Sequence, residues 1–289
     1  MPKKTRVAVA APKRTRAKGR GVPSKKKKPR DVPESSLERM IGLLDLFQGE
    51  TRAWTVDQMH QHLGYTRSTL YRYLKVLSDV ELLTSLPDVG YVLGPRVIEL
   101  DFLIRRQDPL VVASVPVMAE LISDIPSIAL LCRRYRDKVL CIHQIAHPSI
   151  AIHSTYERGK PLPLFSGAAS RIILANMSRQ HINRLYAEQA QEFAKSQLGG
   201  NLTDIRRTLQ DIRLRGWDHT TGQVTAGITG VAAPIFDGNK NVLGSLSLSL
   251  HETHITPQRL SSIAERVVFC SRVISHALIQ ERGRQTSDR

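Results

Sequence analysis

Cysteine is scarce in this 289-residue chain, with only Cys132, Cys141 and Cys270. Three thiols cannot build a disulfide framework, and their spacing is not that of metal ligands. Cys132 and Cys141 lie among apolar neighbours, which reads as buried, reduced thiols in a reducing compartment. Long apolar runs are also missing. A membrane-spanning helix needs about 18 apolar residues, and the best candidate, "LVVASVPVMAELI" (110–122), is shorter and contains Pro116. The charged N-terminus has no apolar segment behind it, so it does not read as a secretory signal. No G-x-S-x-G, Walker or G-x-G-x-x-G pattern occurs, and "ERGK" (157–160) lacks the flanking glycines of a phosphate loop.

Acid is absent from the first thirty residues, which hold 13 Lys or Arg. That leaves 29 basic against 26 acidic residues in the rest of the chain. The net charge of +16 is therefore mostly a tail on a near-neutral body. Residues 1–34 carry no core-forming pattern and read as a disordered basic tail. Such a tail is either an arm lying along nucleic-acid phosphates or a solubilising extension.

Order begins at Ser35. "SSLE" has the Ser-x-x-Glu form of a capping box, and Leu37, Met40, Ile41, Leu44 and Phe47 then mark a helical stripe to about Gln48. "TVDQ" repeats the box with Thr55 and Gln58, and Val56, Met59 and Leu63 point inward from a second, short helix. Gly64 stops it, and Thr66 caps a third. Three helices with this tight turn match a helix-turn-helix. "LLTSLPDVGYVLG" (82–94) reads as a β-hairpin around Pro87, Asp88 and Gly90, which makes the unit (35–94) a winged helix.

The third helix explains its own composition. Leu70, Leu74 and Leu77 face inward, while the opposite side carries Arg67, Ser68, Tyr71, Arg72 and Lys75, with no acid before Asp79. In this motif the third helix enters the DNA major groove. Arg67 and Arg72 suit guanine edges or phosphates. Thr66, Ser68 and Thr69 at the helix start suit phosphate oxygens, and Tyr71 and Lys75 are further phosphate contacts. An ordinary solvated basic face is the plainer alternative.

Residues 95–124 read as linker helices. "PRVIELDFLIRR" spreads Val97, Leu100, Phe102, Leu103 and Ile104 around a helix, more apolar surface than a lone linker exposes. It packs either on a second copy of the chain or on its own domain. A second helix follows, interrupted at Pro116. From 125 to 282 the pattern is α+β: strands at "SIALLCRRY", "KVLCIHQIA" and "SIAIHSTY", helices at "FSGAASRIILANM" and "NLTDIRRTLQDIRLRG", paired strands "GVAAPIF" and "NVLGSLSLSL", then a long closing helix at "TPQRLSSIAERVVFCSRVISHALIQ". Residues 283–289 are a short tail. His143, His147 and His153 fall at even offsets, but Pro148 breaks the strand. They are either ordinary histidines or a weak zinc candidate without a carboxylate or thiolate at ligand spacing. No metal or cofactor is expected.

"STLYRYLKVL", "GYVLGPRVIEL", "IRLRGW" and above all "GVAAPIFDGNKNVLGSLSLSL" resemble the IclR family of bacterial transcription regulators, from about Leu37 to Ala277. The resemblance implies an N-terminal winged helix-turn-helix, a linker helix and a C-terminal ligand-binding domain similar to a GAF domain. It implies an effector pocket between a helix start and the sheet. Carried over, the candidates are Phe165, Ser166, Gly167 and Ala168 with Ile228, Gly230, Ser247 and Ser249; Thr220 is a further polar contact. Family members commonly read "PLHATALGKA" where this chain has "PLPLFSGAASRII", so Ser170 and Arg171 replace a Gly-Lys pair. The physics agrees with the site: N–H groups at a helix start attract a carboxylate, and Ser247 and Ser249 share one side of a strand. A small organic acid, aromatic ones included, is the expected effector.

The expected protein is thus a cytoplasmic, nucleoid-associated regulator, dimeric or a dimer of dimers, on a roughly palindromic double-stranded operator. It is no membrane protein and no enzyme. The alternatives are a non-specific DNA-packaging protein driven by the tail, and an enzyme using Cys132 or Cys141, for which no base is placed beside either thiol.

Overall fold

The computed structural model describes residues 35–49, 51–150 and 156–287. The chain divides into two compact units between Pro95 and Arg96. The basic tail expected over 1–34, most of the strand expected at 149–156, and His153 lie outside the described residues.

The first unit opens with α1 (Ser36–Gly42), and its capping box forms as expected. Ser35 Oγ accepts the Glu38 N–H at 3.2 Å, and a Glu38 carboxylate oxygen accepts the Ser35 N–H at 2.8 Å. The helix does not run on to Gln48. It tightens into a 3₁₀ segment, Leu43–Gln48. At three residues per turn, residues three apart stack, so Leu43 and Leu46 enter the core. Leu37, placed on the inward stripe by sequence, is instead 70% exposed, and Ile41 is exposed too.

Thr55 and Gln58 form the second box at the start of α2 (Val56–Leu63), and Gly64 closes it in the left-handed conformation at φ 72°. Thr66 caps α3 (Arg67–Asp79) by accepting the Thr69 N–H. Leu70, Tyr73, Leu74 and Leu77 of α3 pack with Leu43, Met59 and Leu83. The wing is β1 (Leu83–Leu86) against β2 (Gly90–Leu93). Trp54 adds a rung that the sequence reading did not assign: its backbone exchanges two 2.9 Å hydrogen bonds with Tyr91.

The second unit begins with α4 (Arg96–Gln107) and α5 (Pro109–Asp124). Pro116 does not interrupt α5. Its missing N–H leaves the carbonyl of Val112 without a helical partner, and Val112 lies on the exposed side, where water can serve. Then come β3 (Ile128–Tyr135), β4 (Lys138–Ala146), β5 (Pro161–Pro163), α6 (Ala168–Ala175), α7 (Arg179–Ala194), α8 (Leu202–Arg215), β6 (Asp218–Thr221), β7 (Ile228–Phe236), β8 (Val242–His251) and α9 (Pro257–Ser287). β5, α7 and β6 were not foreseen.

The strands form one antiparallel sheet in the order β5-β4-β3-β8-β7-β6. Alternate side chains serve opposite faces. Ala129, Leu131, Val231, Leu246 and Leu248 pack under α5 and α9. Ile128, Leu130, Cys132 and Ala232 pack under α6, α7 and α8. Central β8 is buried on both faces, so its Ser-Leu alternation puts leucines toward α9 and serines toward α6.

Candidate functional site

α3 presents its polar side to solvent. Thr66, Arg67, Ser68, Tyr71, Arg72 and Lys75 are exposed and Thr69 is half-buried, so all seven residues assigned to DNA lie on one accessible surface. The leucines and Tyr73 behind them are fixed: Tyr73 Oη lies 2.9 Å from Ser36 Oγ, which ties α3 to α1. Arg72 lies over the Tyr73 ring, 5.4 Å from its centroid. One acid does approach. Arg67 Nε donates to Asp57 Oδ1 of α2 at 2.8 Å. Both side chains are exposed, so the pair contributes under about 1 kcal/mol and yields easily to a phosphate.

The second candidate site lies between α6 and the sheet. Antiparallel register sets Thr220, Gly230 and Ser249 side by side across β6, β7 and β8, with Ala232 and Ser247 in the next row. These small side chains make the floor. Gly167, Ala168 and Ala169 at the start of α6 make one wall, and Ile228 with Gln223, Val224 and Thr225 from the β6–β7 loop make another. Tyr156 closes one end. Of nine residues expected here, the structure brings seven together: Gly167, Ala168, Thr220, Ile228, Gly230, Ser247 and Ser249. Phe165 is elsewhere, buried in the core 4.8 Å from the Phe193 ring. Ser166 lines a neighbouring, more open hollow with Lys160, Leu162 and Pro163.

Tyr156, Ala169 and the loop residues Gln223, Val224 and Thr225 were not foreseen. The loop carries no periodic pattern, and only the sheet order brings it to the helix. "TTGQVTAG" with its two glycines was the available signal.

Polar groups converge on the cleft. The N-cap of α6 is Gly167, at φ 81°, with no side chain to satisfy the helix's first donors. Its own N–H donates to Gln223 Oε1 at 3.0 Å, and the Ala168 N–H donates to Thr220 Oγ1 at 3.0 Å. A side chain at 167 has no room: a Cβ there would sit 2.6 Å from Tyr156 Oη and 2.7 Å from Val224 Cγ2. Ser245, just beyond the cleft, donates to the Ala169 carbonyl at 2.9 Å and holds α6 on the sheet. Ser247 and Ser249 are only 2% and 4% exposed, and among the described residues neither hydroxyl has a hydrogen-bond partner.

The departure at Ser170 and Arg171 has a structural account. Both are buried. Ser170 Oγ is 3.4 Å from Tyr156 Oη, and Arg171 Nε lies 2.8 Å from Asp218 Oδ2 in an ion pair whose angle falls outside hydrogen-bonding geometry. Burial pushes the Asp218 carboxyl up against the pull of Arg171 and Arg215. This pair anchors the inner end of α6 to β6 below the cleft.

Cys132 and Cys141 face each other across β3 and β4. The neighbouring Cys141 thiol and burial push Cys132 well up, and Cys141 donates to the His143 carbonyl at 3.3 Å. Among the described residues neither thiol has the adjacent base that a nucleophile requires. Among the described residues no group of His, Cys, Asp or Glu could hold a metal, and no helix is long and apolar enough to cross a membrane.

Comparison with known proteins covers both units. The family model for the IclR helix-turn-helix domain matches residues 36–87, and the model described as bacterial transcriptional regulator IclR C-terminal matches residues 104–276. The Pca regulon regulatory protein of Pseudomonas putida is 23% identical over 245 residues, 84% of each chain. An IclR transcriptional regulator from Alicyclobacillus acidocaldarius superposes with a TM-score of 0.71 at 21% identity, covering 86% of this chain and 100% of that one. An IclR homologue from Microbacterium hydrocarbonoxydans, complexed with 4-hydroxybenzoate, superposes with a TM-score of 0.63 at 20% identity, covering 84% and 99%. At these identities the structural matches establish the fold.

Proposed function

The chain belongs to the IclR family of bacterial transcriptional regulators, and on that premise we propose that it reads its operator with α3 and senses a small organic acid in the cleft under α6. It is a ligand-responsive DNA-binding regulator rather than an enzyme. The finer assignments are ours: Arg67 and Arg72 at base edges or phosphates, Thr66, Ser68, Thr69, Tyr71 and Lys75 at the backbone, and the acid's carboxylate at the Gly167–Ala168 N–H groups.

One observation carries the effector reading. Ser247 and Ser249 line the cleft with two hydroxyls bonded to no described residue, facing a helix start whose N–H groups are held by the neutral oxygens of Gln223 and Thr220. An acid with a second polar group gives the serines a hydrogen-bond partner and offers the helix start an anion in place of a neutral acceptor. The 4-hydroxybenzoate held by the Microbacterium protein is of this class, and an aromatic acid suits the Ile228 and Val224 walls. Calorimetric titration of the full chain with 4-hydroxybenzoate and a panel of small carboxylates tests it. Binding should weaken about tenfold or more when both serines become alanine, because two hydrogen bonds are lost. Undiminished binding would move the effector elsewhere.

We further assign the exposed apolar side chains of α4, Ile98 and Phe102 on one side of the helix and Leu100 and Ile104 on the other, to a second copy of the chain. Ile98 is 71% and Phe102 48% exposed, with Leu100 and Ile104 also in solvent, more than an isolated helix presents. Two winged helices would then meet a roughly palindromic operator in the bacterial cytoplasm, at the nucleoid. The acid shifts regulation by favouring one arrangement of the pair over another, which requires different affinities for the two.

A further inference from the structure

We propose that the Gln223 side chain is a built-in occupant of the carboxylate subsite, and that Gln223 with Val224 gates the cleft. This deepens the effector reading above and rests on it.

The cleft is nearly filled by protein. Its free volume is about 20 Å³, and a single water needs roughly 10–15 Å³. The hollow beside it offers about 270 Å³, enough for a small organic acid. Among the described residues only Gln223 and Val224 line both spaces, so they form the partition between them. Val224 Cγ2 stands where any side chain on Gly167 would have to go. Gln223 reaches further: its Oε1 accepts the Gly167 N–H at 3.0 Å while its Nε2 donates to Gln197 Oε1 at 2.7 Å. Gly222 and Gly227 bracket the loop that carries both residues, at φ 69° and 75°.

Chemistry makes this occupant displaceable. The donor at a helix N-terminus prefers an anion, and a charge-assisted hydrogen bond is about twice as strong as a neutral one. An amide oxygen therefore satisfies the Gly167 N–H in the absence of an acid and loses it to a carboxylate. Lys160, loosely paired with Glu157 at 3.9 Å, lies on the rim of the outer hollow and offers that anion a cation whose exposed pair yields easily. Once Gln223 is displaced, the partition opens, the two spaces join, and the acid's remaining polar group reaches Ser247 and Ser249. Gln223 thus sets a threshold that neutral analogues cannot pass. Its release also breaks the link to Gln197 in the α7–α8 connection.

Full-length wild type, Gln223→Ala and Gln223→Glu test this, titrated with acetate, benzoate, 4-hydroxybenzoate and the neutral 4-hydroxybenzamide. Removing the internal competitor should tighten binding of those carboxylates that the wild type accepts by roughly 2- to 10-fold, and the benzamide, which the wild type excludes, should gain by a similar factor. The tethered carboxylate of Gln223→Glu should weaken them at least as much and raise the thermal midpoint without added acid. If Gln223→Ala binds carboxylates equally or more weakly than wild type, Gln223 is a bystander or a direct ligand contact. The gate is then overturned while the pocket stands. If no carboxylate binds wild type or Gln223→Ala, the pocket reading itself falls, and the gate with it.

Discussion

Arg72 carries the sharpest claim at the scale of the residue. Its guanidinium rests over Tyr73 on the outer side of α3, and an exposed cation–π contact contributes about 0.5–1 kcal/mol. Arg72→Ala should leave the fold intact and weaken operator binding by about 1–3 kcal/mol if the guanidinium reads a base. Fluorescence anisotropy on operator DNA at moderate salt checks this, and an unchanged affinity would unseat α3 as the reading element. Arg67 adds a control. Its pair with Asp57 is exposed, so Arg67→Ala should shift stability by under about 1 kcal/mol while still lowering affinity for DNA. Arg72 was legible in sequence because helical period sets it opposite Leu70 and Leu74; Arg67, three and seven residues before those leucines, is exposed because it is the first residue of α3. Asp57 was not legible, since it approaches Arg67 only through the turn between two helices.

At the scale of the element, α3 is held by what it buries. Leu74 is fully buried among Leu43, Met59 and Leu83, and Leu74→Ala should cost about 2–5 kcal/mol. A drop in the thermal midpoint of the winged-helix unit, with DNA binding lost in proportion to unfolding, is the expected result. α4 makes the opposite case: it exposes apolar side chains on two sides, Ile98 and Phe102 on one and Leu100 and Ile104 on the other. Ile98→Glu should leave the helix formed and shift the chain from dimer to monomer in sedimentation velocity. A dimer that survives this change would place the contact on another surface. Caps were the most legible feature at this scale, because Ser35, Thr55, Thr66 and Gly64 act through neighbours three or four residues away. The 3₁₀ segment after Gly42 was not, because the helical stripe continued through it and packing chose the tighter turn.

For the whole molecule, acid should be destabilising. Burial, with Arg158 and Arg105 nearby, holds His143 below the usual imidazole range; burial, with Arg215 and Arg171, does the same for His219, whose Nδ1 is buried without a hydrogen-bond partner. The unfolded chain therefore takes up protons near pH 6.5 that the folded chain refuses. Stability is full above that value and declines below it. Thermal midpoints should fall between pH 7 and 5, and fall less in His143→Asn and His219→Asn; parallel curves would assign the loss to carboxylates. Deleting residues 1–30 should lower affinity for operator and random duplexes alike and flatten the salt slope. The intact chain should still prefer its operator by about 10³ or more, where a packaging protein would show no preference.

Sequence by itself determined whatever depends on neighbours along the chain: the caps, the wing turn, the acid-free side of α3, and the alternating serines of β8. Each is a short-range pattern set by backbone period and turn chemistry. Only the tertiary structure decided which residues meet across the sheet. Gln223 reaches Gly167 over 56 positions of sequence, and Phe165, next to the cleft in sequence, turns into the core instead. Contacts of that range are fixed by strand order and by which face a side chain must bury, and neither is written locally.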